Sequence, residues 1–204
     1  MDMRTVYLGL DLAHPIIASA GPTSSDLDGI RRLEDGGAAA VVTSSLFEEQ
    51  LLSENAVLDH MLETSAESFG EATSYFPDIA ERRVGPDAYL KLIRSASEAC
   101  SIPVIGSLNG VTTNGWTEHA RQIEQAGAKA LELNIFHIPA DIDTTARDVE
   151  EQYLETVRQV ASAVKIPVAV KLNPFFSATG EMAKKFVEAG AAGLVLFNRF
   201  YQPD

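Results

Sequence analysis

The chain of 204 residues contains one cysteine, so no disulfide can form within it, and Cys100 excludes a cross-linked secreted scaffold. No uninterrupted apolar run reaches the roughly 18–20 residues needed to cross a membrane as a helix. The opening residues, Met1-Asp2-Met3-Arg4, carry an acid at the second position and no apolar signal core. These absences together lead us to expect a cytoplasmic protein. Positive charge is scarce: 16 Lys and Arg stand against 29 Asp and Glu, a net charge of −13. So acidic a surface repels nucleic acid and anionic lipid, and neither is expected as a partner.

What remains is ordinary globular material, 46% hydrophobic and 22% charged, sized for one domain spanning residues 1–204. Short apolar segments at 16–20 (IIASA), 40–43 (AVVT), 104–107 (VIGS), 130–134 (ALELN), 168–171 (VAVK) and 193–198 (GLVLFN) read as strands. They alternate little between apolar and polar, as parallel strands covered on both faces do. Between them, residues 26–35, 86–99, 116–126, 149–164 and 181–189 have helical periodicity. Asp26 and Thr179 stand where N-caps belong, and Gly36, Gly127 and Gly190 where helices stop. The alternation predicts βαβ units on a parallel sheet.

A repeat strengthens this. Ile102-Pro103-Val104 recurs 64 residues later as Ile166-Pro167-Val168, and Gln125-Ala126-Gly127-Ala128 recurs 63 residues later as Glu188-Ala189-Gly190-Ala191. The second element has an earlier copy in Asp35-Gly36-Gly37-Ala38. Regular βα repetition favours a (β/α)8 barrel of the TIM type over a doubly wound sheet. The chain supplies about six strand starts where such a barrel has eight, so an incomplete, truncated barrel is expected. Residues 1–13 read as an N-terminal β-hairpin turned at Gly9. Residues 44–85 form a long insertion after the second strand, beginning with a helix-compatible run at 46–60. An insertion there lies on the face where barrels carry their sites.

Polar residues gather at the strand C-terminal ends: Ser19 and Gly21; Thr43, Ser44 and Ser45; Ser107 and Asn109; Glu132 and Asn134; Lys171 and Asn173; Asn198. Each alone could satisfy frayed backbone, but together they point to a small-molecule site at one mouth. Asparagine donates and accepts, as a heteroaromatic ring with alternating C=O and N–H demands. Lys171 could place positive charge there, suited to a ligand that gains negative charge, or could pair with Glu132 on the neighbouring strand; the roles are compatible. No His, Cys or Asp spacing suggests a metal site.

The motifs ASAG (18–21), VTSS (42–45), IPVIGSLNG (102–110), ALELN (130–134), IPVAVKLNP (166–174) and GLVLFN (193–198) resemble, in order and spacing, the FMN-dependent dihydroorotate dehydrogenases. The resemblance implies a soluble flavoenzyme of pyrimidine biosynthesis that oxidises dihydroorotate or a related CH–CH substrate. It implies FMN or substrate contacts from Ala20, Gly21, Thr43, Ser44, Asn109, Asn134, Lys171 and Asn198, although the family often has Lys where this chain has Ser44. It places His137, third after Asn134, at the position of the catalytic base. An imidazole can take a proton near neutral pH, although a loop histidine packed beside Phe136 and Ile138 is the alternative. His14, His60 and His119 are weaker candidates.

Two departures bear on substrate and cofactor. The Asn- and Gly-rich loop that grips orotate in the family is replaced by the stretch from Tyr75 to Pro86, where Arg82 and Arg83 could meet a carboxylate or solvent. The loops of a seventh and eighth strand, which hold the FMN phosphate, have no counterpart, so weak FMN retention is expected. Unpaired strand edges would favour a homo-oligomer. A phosphate-binding barrel doing isomerase or lyase work, and an inactive fragment serving as an interaction module, are the rival readings.

Overall fold

The computed structural model describes residues 2–47, 86–109, 113–135 and 139–198. The chain opens with the expected hairpin: β1 (Thr5–Tyr7) pairs antiparallel with β2 (Leu10–Leu12). The remaining strands, β3 (Val41–Val42), β4 (Leu46–Phe47), β5 (Val104–Asn109), β6 (Ala130–Asn134), β7 (Val168–Leu172) and β8 (Gly193–Leu196), form one parallel sheet. Its order is β3-β5-β6-β7-β8, with β4 also on β5. The helices are α1 (Leu27–Asp35), α2 (Pro86–Ala99), α3 (Thr113–Gln125), α4 (Ala146–Ala163) and α5 (Thr179–Glu188).

The chain thus has an α/β fold with a curled parallel sheet and a small antiparallel hairpin. Curling follows from one fact: residues beside β3 (Ile17, Ser19, Ala20) and residues on and beyond β8 (Val195, Phe197, Asn198) line the same cavity.

Alternate side chains divide two cores, as the period of two in a strand demands. Leu131, Leu133, Val168, Val170 and Leu172 face the helices, packing with Trp116, Tyr153 and Phe186. Phe176 links Tyr153 and Phe186 edge-on, with ring centroids 5.7 and 6.0 Å apart. Val42, Ile105 and Ala130 point to the concave side, where Leu12 and hairpin residues Tyr7, Leu8 and Leu10 cover them. The hairpin therefore closes the floor of the curl.

Several local expectations change. The 16–20 segment makes only a single bridge, Ala18 to Val41, its backbone bonds running between residues 16–18 and 39–42. Leu46 and Phe47, read as the start of a helical run, instead pair with Leu108 and Asn109; the rest of the 46–60 run lies outside the described residues. Asp26 caps α1 as expected, its Oδ1 accepting the Gly29 N–H at 2.7 Å. Thr179 begins α5 and Ala178 is its cap, whereas Thr145 and Asp148 cap α4 reciprocally, starting it three residues earlier than its apolar stripe.

The repeat has a structural counterpart. Glu34, on α1, accepts the backbone N–H of Ser101 at 2.7 Å, just before Ile102-Pro103-Val104. Glu124, on α3, accepts from Lys165 and Ile166 at 2.7 and 3.0 Å, just before the second copy of that motif. Each carboxylate ties the end of one helix to the start of a nearby strand. The Ser101 bonds hold the Glu34 carboxyl below its usual range.

Candidate functional site

The strand register assembles the site. Asn109 pairs with Asn134, Asn134 with Lys171 and Lys171 with Val195, forming one row across four strands. One row below, Ser107 pairs with Glu132 and Glu132 with Ala169. Because the row sits at the C-terminal ends of β5, β6, β7 and β8, its side chains reach a common cavity of about 770 Å³. Tyr7, Ser19, Ala20, Ser45, Asn109, Glu132, Asn134, Lys171 and Asn198 contribute to its wall.

The row is held electrostatically. Lys171 Nζ lies 2.6 Å from Glu132 Oε1, and the two side chains are only 15% and 6% exposed. No other described group donates to Glu132 Oε1, so the ion pair is what compensates this buried oxygen. Asn198 Nδ2 donates to Asn134 Oδ1 at 3.1 Å, bridging the ends of β6 and β8.

A second polar network underlies the wall at β5. Strands β3 and β4 flank β5 on one side and are interrupted at Thr43–Ser45, opposite Ser107. The Tyr89 hydroxyl fills the gap, accepting the Ser107 N–H and donating to the Ser107 C=O, both at 2.8 Å. It also lies 2.7 Å from Thr43 Oγ1. Burial pushes the Tyr89 phenol up to about 12, and the Glu132 charge adds to the rise. Ser45 Oγ, 2.8 Å from Ser107 Oγ, carries this network to the cavity surface.

Of the residues singled out in the sequence, Ala20, Asn109, Asn134, Lys171 and Asn198 come together on the cavity wall. Gly21, Thr43 and Ser44 do not line it. Gly21 bonds through its backbone to Ser24, Thr43 faces Tyr89 and Ile105, and the Ser44 N–H donates to the Ser24 carbonyl. The interruption between β3 and β4 turns Thr43 away from the cavity and leaves Ser45 on its wall, whereas Gly21 is held in the cap of the short turn at Pro22–Ser24. His137, with His60, Arg82 and Arg83, lies outside the described residues. His14 is exposed, its Nδ1 accepting the Ile16 N–H, and His119 contacts Gln122 on α3.

The reading of strand ends did not anticipate Tyr7 and Phe197. Tyr7 belongs to a hairpin that sequence places before the sheet, and nothing local shows that the hairpin folds beneath it. Among the described residues no cluster of three or more His, Cys, Asp or Glu could hold a metal, and no helix is long and apolar enough to cross a membrane.

The polar set suits an isoalloxazine ring. Amides and an ammonium can serve its alternating carbonyl and N–H edge, and the volume lies within the roughly 300–1,000 Å³ of small-molecule sites.

No protein-family model matches the chain. Curated relatives do. The catalytic subunit of dihydroorotate dehydrogenase B (NAD(+)) from Methanocaldococcus jannaschii is 27% identical over 201 residues, covering 96% of this chain and 62% of that protein. The corresponding subunit from Methanothermobacter thermautotrophicus is 27% identical over 198 residues, covering 96% and 61%. The Geobacillus kaustophilus subunit reaches 35% over 106 residues, or 50% of this chain and 33% of that one. Among solved structures, phosphonopyruvate hydrolase matches with a TM-score of 0.56 at 15% identity, over 91% of this chain and 58% of that chain. A 2,3-dimethylmalate lyase matches at 0.52 and 16%, over 88% and 58%. At such identities these structures attest the fold alone. The chain spans about three fifths of the length of the archaeal relatives it matches. Along nearly all of its length the chain is thus similar in sequence to catalytic subunits of dihydroorotate dehydrogenase B.

Proposed function

We propose that the cavity is the ring-binding part of an FMN-dependent oxidoreductase site on a barrel of the (β/α)8 type, acting on dihydroorotate or a related cyclic CH–CH substrate in the cytoplasm. The observation that carries this reading is the convergence of Lys171, Asn109, Asn134 and Asn198 with Ala20 on one cavity. When bound, FMN supplies a two-electron acceptor for hydride removed from a substrate carbon.

The chain's own residues do the rest. The Lys171 ammonium, fixed by Glu132, offers a preorganised positive charge where negative charge grows, which needs no reorganisation during reaction. Asn134 and Asn198 fix each other's amide orientation through their hydrogen bond, so one edge of the site presents a defined donor and acceptor pattern. His137 is the proposed proton acceptor from the substrate carbon.

The rival reading gives Lys171 a Schiff-base role, which requires a neutral amine. The Lys171 Nζ instead sits 2.6 Å from the Glu132 carboxylate, engaged in an ion pair rather than free to attack a carbonyl. Titrating the 204-residue chain with FMN tests the proposal. A saturable change in flavin fluorescence and visible circular dichroism, at concentrations above the micromolar range, is expected. No change up to millimolar FMN, or covalent trapping of a carbonyl compound on Lys171 by borohydride, would overturn it.

A further inference from the structure

The hairpin does more than close the floor of the sheet. Its turn consists of Leu8 and Gly9, with φ of 53° and 74°. Positive φ at both positions is the geometry a two-residue hairpin turn requires, and glycine adopts it freely. A leucine there costs about 1–2 kcal/mol. Its side chain accounts for the choice of an apolar residue. A Cβ built on Gly193, the first residue of β8, would stand 2.7 Å from Leu8 Cδ2 and 3.7 Å from Tyr7 Cε2. Leu8 is therefore wedged against the bare backbone of β8, and Tyr7 beside it is pressed to the same place.

That contact directs Tyr7 to the cavity, where it lines the wall with Glu132 and Lys171. Its neighbour Val6, on the opposite face of β1, is 64% exposed. Among the described residues the Tyr7 hydroxyl makes no hydrogen bond, unlike Tyr89, whose hydroxyl is fully engaged. Burial, and secondarily the Glu132 carboxylate, raise the Tyr7 phenol above its ordinary value. The phenol thus stays protonated and can donate, and it is a tyrosine whose polar group is uncommitted within a ligand-sized cavity.

We infer that Tyr7 is a ligand-contacting residue, held by the Leu8–Gly193 wedge so that its phenol bears on a flat ring bound in the cavity. The inference rests on the flavin reading for the identity of that ring. It is independent of the strand-end row, because Tyr7 arrives from an element outside the parallel sheet.

Flavin photophysics supplies a test that does not depend on turnover. A tyrosine in contact with an isoalloxazine passes an electron to the excited ring and receives it back, quenching fluorescence without net chemistry; phenylalanine does not. Trp116, Tyr89 and Tyr153 are buried on the helix side of the sheet and do not line the cavity. FMN is titrated into the wild-type chain, Y7F and Y7W, with circular dichroism melts to verify folding. Bound FMN is expected to be strongly quenched in the wild type, several-fold brighter in Y7F and quenched again in Y7W. Loss of FMN binding by a folded Y7F would also support contact, through the hydroxyl. Equal brightness of FMN bound to wild type and Y7F removes Tyr7 from the site while leaving the flavin reading intact. No binding by the wild type overturns both. Should Y7F lose its melting transition, Y7L carries the same comparison.

Discussion

Asn134 and Asn198 lie 64 residues apart, the interval of the Ile-Pro-Val repeat, and hydrogen-bond to each other across the mouth of the cavity, Nδ2 to Oδ1 at 3.1 Å. Equivalent positions in successive modules have become partners because the curl of the sheet brings the ends of β6 and β8 together above β7.

Replacing Asn134 by Ala removes an acceptor that is 9% exposed and breaks its hydrogen bond from the Asn198 amide. A stability loss of about 1 kcal/mol is expected in urea unfolding. FMN affinity should fall further than stability does, since the fixed amide pattern is lost. Unchanged FMN affinity in a folded N134A would detach the pair from ligand binding.

The Lys171–Glu132 pair gives a sharper contrast. Lys171→Met strands a carboxylate that is 6% exposed, at a cost of about 3–5 kcal/mol. Adding Glu132→Leu removes the stranded charge and should return most of that stability, while the double variant loses FMN binding. Denaturant midpoints of the two single variants and the double variant decide the matter. Additive losses would mean that the two charges are not coupled in the folded chain.

Tyr89 predicts an alkaline limit. Its folded value of about 12 exceeds the ordinary tyrosine value near 10, because burial favours the neutral phenol. The folded state therefore holds its proton more tightly than the unfolded chain. The contribution is fully present below pH 10 and is lost as pH rises through about 12, on the order of 3 kcal/mol in all. Tyr89→Phe should remove this segment of the pH–stability profile. It should also cost about 1–3 kcal/mol at neutral pH, since both backbone groups of Ser107 lose their partner. A profile between pH 10 and 12 that is identical in the variant would exclude Tyr89 as its source.

Much of the site was legible in the sequence because parallel strands expose a simple code. Residues at the ends of 104–109, 130–134, 168–172 and 193–196 fall in one row once the strands are in register, and their polarity after an apolar run marks them. Helix positions were legible for the same reason, since apolar periodicity and repeated Gly-Ala turns are local signals.

Local periodicity alone encodes the alternation of strands and helices, the repeat and the place of Asn109, Asn134, Lys171 and Asn198 as strand-end groups. Which neighbouring residues face inward was set by long-range packing. The gap between β3 and β4, filled by a tyrosine 46 residues beyond Thr43, turned Thr43 to the core and Ser45 to the cavity. The wedge of Leu8 against Gly193, 185 residues away in sequence, brought Tyr7 beneath the ligand-sized space. Both depend on contacts between distant segments, and a linear pattern holds no trace of such contacts until the sheet has curled.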